Sequence, residues 1–84
     1  MTTDRPHDAV LRFEYESPAR ARVVTRAVSQ EVGEIEGDRS TATVDREGST
    51  VAVRVTADDL VALRAGMNTW GSLVEVAERT VDAA

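Results

Sequence analysis

The sequence predicts an α+β fold: a two-layer β-α-β-β-α sandwich whose three-stranded antiparallel sheet carries both helices on one face. Three observations point there. Residues 9–15 alternate apolar and polar, residues 40–55 hold two β-branched runs around Glu47-Gly48, and the C-terminal third repeats apolar residues at steps of three and four. With 84 residues, the chain is expected to make one domain over residues 9–82, preceded by a flexible tail over residues 1–8.

In the first strand, Leu11, Phe13 and Tyr15 share one face, and Arg12 and Glu14 take the other. Ser17-Pro18 then marks a helix start, a hydroxyl N-cap followed by proline where a missing N–H costs nothing. That helix is expected to reach about Gln30, with Val24, Ala27 and Val28 inward and Arg20, Arg22 and Arg26 outward. Residues 33–38, with Gly33 and Gly37, read as a loop.

Residues 40–46 and 50–55 form a hairpin. Taking Glu47-Gly48 as its two-residue loop sets Val44 opposite Val51 and Ala42 opposite Val53. The chain direction then puts the valine-rich third strand in the middle of the sheet. Thr56 and Asp59 offer a hydroxyl cap and a carboxylate three residues on, so the last helix is expected to start there.

This last helix carries a surplus of apolar surface. Leu60, Leu63, Met67, Trp70, Val74, Ala77 and Val81 fall within roughly a quarter of its circumference at about 100° per residue. A second group (Ala62, Ala65, Gly66, Thr69, Leu73 and Val76) widens the stripe by about a third of a turn, beyond what a surface helix needs. Strands of six residues span about 20 Å, against about 37 Å for some 25 helical residues. The helix is therefore expected to overhang its sheet, leaving Trp70 to Val81 incompletely covered. A domain of this size buries only about 60–65% of its unfolded surface, so association would stabilise it.

The composition narrows the function further. Cysteine is absent, which excludes disulfide frameworks and thiolate chemistry and agrees with a cytoplasmic location. No apolar run is long enough to span a membrane. The net charge is −5 and all ten basic residues are arginine, which fits either a GC-rich codon bias or adaptation to high salt. Such an acidic balance is a poor match to the basic footprint of nucleic-acid binding.

No catalytic constellation is expected. His7, the one histidine, falls in the tail, and the carboxylates are scattered over outer faces and turns. No phosphate loop, metal-ligand spacing or cofactor motif occurs, and no small-molecule substrate is implied. Trp70 reads either as a core residue or as an anchor in a partner surface. Gly66 suits the close approach of another helix, Gly71 projects to the polar side without an evident reason, and Arg20, Arg22 and Arg26 form either a solvated face or a phosphate-contacting patch.

One segment carries a resemblance. Asp59-Leu60-Val61-Ala62-Leu63-Arg64-Ala65-Gly66-Met67-Asn68-Thr69 is similar to the pattern of the small dimerisation subunit of the KEOPS complex: an acidic residue, an apolar spacer, Leu-Arg-Ala, two variable residues, then Asn-Ser or Asn-Thr. The likeness extends over residues 10–81 through the first strand, Ser17-Pro18 and the valine hairpin, with Gly71-Ser72 as a departure. The absent lysine would suit a haloarchaeal member.

The resemblance implies a non-catalytic scaffold in a complex that installs threonylcarbamoyl on adenosine beside the tRNA anticodon. It implies a homodimer whose helices pack on the transferase subunit, with tRNA a further contact. The expected partner-facing residues are Arg64, Asn68, Trp70, Leu73, Val74, Ala77 and Val81, and the candidate tRNA contacts are Arg20, Arg22 and Arg26. The alternative is a standalone KH-like RNA-binding module, against which stand the missing Gly-x-x-Gly clamp and aromatic platform.

Overall fold

The computed structural model describes residues 6–32 and 39–83, with Ala83 described by its backbone alone. The 33–38 loop and residues 1–5 of the expected tail lie outside the described residues. The order is β1 (His7–Glu14), α1 (Pro18–Ser29), β2 (Ser40–Glu47), β3 (Thr50–Ala57) and α2 (Leu60–Ala83). The strands form one antiparallel sheet in the order β1-β3-β2, with both helices over its apolar face, as expected.

Each strand is longer than the sequence patterns suggest, because the central strand keeps its ladder at both ends. Residues 7 and 8, expected in the tail, belong to β1: His7 pairs with Ala57, and the Asp8 carboxylate accepts from Arg54. Thr56 is likewise strand, not the cap of α2. It is buried, and its hydroxyl lies 2.7 Å from that of Thr41. The cap is Asp59, whose Oδ1 accepts the Ala62 N–H at 2.8 Å while Oδ2 accepts from Arg39. For α1 the cap matches: Ser17 Oγ accepts the Arg20 N–H at 3.2 Å, with proline in the first turn.

The hairpin register differs from expectation by two residues. Glu47 pairs with Thr50, so the loop is Gly48-Ser49, Val44 faces Val53 and Ala42 faces Val55. Gly48 has φ +61°, the conformation a tight hairpin demands at its first loop position and one that glycine adopts without strain. A shift of two preserves every inward side chain, since strand faces repeat every second residue.

The core comprises Val24 and Val28 of α1, Ala42 of β2, Val53 and Val55 of β3, and Trp70, Val74 and Ala77 of α2. Here the expected overhang is corrected. Trp70 is 3% exposed, Val74 is 0% exposed and Ala77 is buried too. Eight-residue strands span about 26 Å rather than 20 Å, and α1 covers the rest. The uncovered apolar residues of α2 are Leu60, Val61 and Val76 instead.

Gly66 is also explained within the chain. A Cβ built there would lie 2.8 Å from Cγ1 of Val55, so the missing side chain lets α2 settle onto β3 rather than admit another helix.

Candidate interaction surface

The helix layer presents two different kinds of contact between α1 and α2. At the start of α1 and the end of α2 the contact is polar. Tyr15 donates its hydroxyl to Glu78 Oε2 at 2.6 Å, and Arg20 pairs with Asp82. Burial, reinforced by the bond to Glu78 and its negative charge, raises the Tyr15 pKa well above the usual range. These two links tie the last turns of α2 to β1 and α1. Glu14 and Glu16 complete the open, acidic hollow of 630 Å³ around them.

Toward the other end of α1 the contact is apolar and incomplete. Ala27, Val28 and Glu31 face Leu73, Val76, Ala77 and Thr80 across a groove of 160 Å³. Val76 is 53% exposed, and Val23 of α1 is another exposed apolar residue of the helix layer. The surplus of apolar surface is real, but it lies on the flank made by the second apolar group and α1.

The expected partner-facing residues therefore separate into three sets. Trp70, Val74 and Ala77 are core and out of reach of a partner in this state. Leu73 and Val81 are half-buried and pack on the core, Leu73 also lining the groove. Arg64 and Asn68 are exposed, and among the described residues neither makes a side-chain hydrogen bond or ion pair. The arginine cluster on α1 is also divided: Arg22 and Arg26 are exposed, whereas Arg20 turns toward α2 and Asp82.

Leu60, Val61 and Val23 are surface residues that periodicity alone misplaced or passed over. Val61 is 71% exposed at the first turn of α2, beyond the core. Its signal was only indirect, an apolar residue outside both stripes. Among the described residues no group of His, Asp or Glu is placed to hold a metal ion, and no helix is long and apolar enough to cross a membrane. Among the described residues the surface offers an apolar groove between the helices, two sheet edges without a further strand and a largely polar outer sheet face.

Comparison with known proteins agrees with that architecture. A family model described as transcription factor Pcc1 matches residues 8–82. A chain in the crystal structure of the binary complex Gon7-Pcc1 has the same fold, with a TM-score of 0.81 at 17% identity, covering 93% of this chain and 95% of that one. No match arises among curated protein sequences.

Proposed function

The chain belongs to the Pcc1 family, the small subunits of the KEOPS complex, and from that membership we propose that it is a non-catalytic scaffold for tRNA modification. In this reading it forms a homodimer in the cytoplasm. Its helices hold the transferase subunit that makes threonylcarbamoyladenosine beside the anticodon. It supplies position rather than chemistry, with no cofactor or small-molecule substrate of its own. Arg22 and Arg26 are the candidate contacts to tRNA within the assembled complex.

The observation that carries this reading is the uncovered apolar surface of the helix layer, where Leu73 and Val76 line the groove and Val23 is a further exposed valine on α1. Burying one such valine contributes about 1.5–3 kcal/mol, so a helix seated there would be held by a few side chains. Arg64 and Asn68 lie four residues apart on the solvent side of α2, where they can add hydrogen bonds that set register.

Co-purification tests it. Val76→Asp and Val23→Asp should each lose the transferase while keeping a wild-type far-UV circular dichroism spectrum. Wild-type association by both variants would overturn the assignment. Tight tRNA binding by the isolated chain, with a steep salt slope, would favour the KH-like alternative.

A further inference from the structure

The groove between α1 and α2 outruns the buried part of its own wall. On α2 the buried residues end at Ala77, yet the groove is lined as far as Thr80 and the helix continues to Ala83. The residues past Ala77 add about 9 Å of helix. Among their described side chains only Val81 packs on the core, and it is half-buried. A helix end with so little apolar burial opens readily unless other contacts hold it.

Two polar links supply that hold, and they are unequal. Arg20, in the first turn of α1, pairs with Asp82 in solvent, where an ion pair is worth little. Tyr15, just past the end of β1, donates its hydroxyl to Glu78 Oε2 at 2.6 Å in a part-buried setting. Its acceptor is a carboxylate, which makes a hydrogen bond roughly twice as strong as a neutral one.

Neither link touches the groove. At about 100° per residue, Glu78 lies about 140–160° round α2 from Leu73, Val76 and Thr80, so its side chain points away from anything seated there. Tyr15 and Arg20 line the acidic hollow instead.

We propose that Tyr15 and Glu78 form a brace, whose bond holds the last turns of α2 against the sheet so that the α2 wall of the groove is ordered before an occupant arrives. The proposal rests on the reading of the groove as the seat of a transferase helix, and adds two positioning residues to it. Arg20 completes the brace by joining α1, the other wall, to Asp82. One end of the groove thus has its walls tied to each other and to β1. An occupant that had to order the end of α2 on arrival would bind more weakly, in proportion to the fraction of chains with the wall already formed. A wall fixed in advance removes that loss.

Removing one hydroxyl tests the brace. Tyr15→Phe keeps a ring to pack on the core and alters no groove residue. Amide exchange of residues 79–82 should accelerate about 10-fold or more. Affinity for the transferase subunit, titrated at a temperature where circular dichroism shows every variant folded, should weaken about 3–10-fold. A bond with a merely structural role would lower stability and leave that affinity alone. Glu78→Gln keeps an acceptor for the Tyr15 hydroxyl and should recover most of both losses, whereas Glu78→Ala should not, although alanine is the better helix former. Wild-type affinity in Tyr15→Phe and Glu78→Ala, with Val76→Asp losing its partner, overturns the brace and leaves the groove reading intact. Exchange of residues 79–82 at the wild-type rate in Tyr15→Phe overturns the brace equally. A Val76→Asp variant that binds as the wild type does overturns both.

Discussion

Replacing Gly66 with alanine tests the idea that α2 seats directly on β3. The new Cβ would lie 2.8 Å from Val55 Cγ1, closer than carbon atoms pack. Val55 is buried on the central strand, so its side chain has nowhere to move. Overpacking of this kind costs about 1–3 kcal/mol, offset by up to about 1 kcal/mol of helix propensity. Gly66→Ala is therefore expected to destabilise the protein by up to about 2 kcal/mol. In a Val55→Ala background Cγ1 is gone, and the same substitution should become stabilising by up to about 1 kcal/mol. The coupling between the two sites is thus expected at about 1–3 kcal/mol. Urea unfolding of the four proteins at one protein concentration measures it. Additivity within about 0.5 kcal/mol would show that the glycine is there for another reason.

Three further outcomes follow from the fold. Asp59→Ala should lower stability by about 0.5–2 kcal/mol through loss of the α2 cap, whereas Thr56→Ala should lose only the bond to Thr41, about 0.5–1.5 kcal/mol; amide exchange of the first turn of α2 distinguishes them, since only the first frays it. Trp70→Ala should cost about 3–5 kcal/mol and melt the domain in thermal denaturation; a variant that stays folded but loses only its partner would return Trp70 to the interface. The Tyr15 pKa is raised by folding, so its contribution is fully present below the unfolded value of about 10 and is lost as pH rises through the folded value. Urea midpoints of the wild type should fall above about pH 10, and those of Tyr15→Phe should fall less.

How far the fold was legible depended on whether a signal was local. Alternation in β1, the Ser17-Pro18 start and the valine runs of the hairpin all came through, because each is written within a few neighbouring residues. The end of β3 did not. Thr56 looks like a helix cap in isolation, and what keeps it in the strand is pairing with Asp8 and Thr41, residues distant in sequence. The hairpin register slipped for a related reason. Glu47-Gly48 and Gly48-Ser49 are both plausible loops, and the eight-residue ladder on the other edge of β3 favours the second.

The interaction surface was legible as a quantity more than as a place. The width of the apolar stripe on α2 announced more apolar surface than the sheet covers, and Val76 and Leu73 belonged to its second group. Which part of the stripe stays free depends on the path of α1, which periodicity along α2 cannot report. The Tyr15–Glu78 and Arg20–Asp82 links, spanning 63 and 62 residues, carry no sequence signal at all.

Taken alone, the sequence determined the element order, the inward faces, the centrality of β3 and the family motif from Asp59 to Thr69. Each follows from side-chain period, local capping chemistry or the identity of adjacent residues. Only the tertiary structure decided that Trp70, Val74 and Ala77 are core, that Gly66 serves the sheet, and that Gly71 faces open space. Those outcomes turn on which surfaces lie within a few ångströms once the chain has folded, a distance that helical and strand periods leave undetermined.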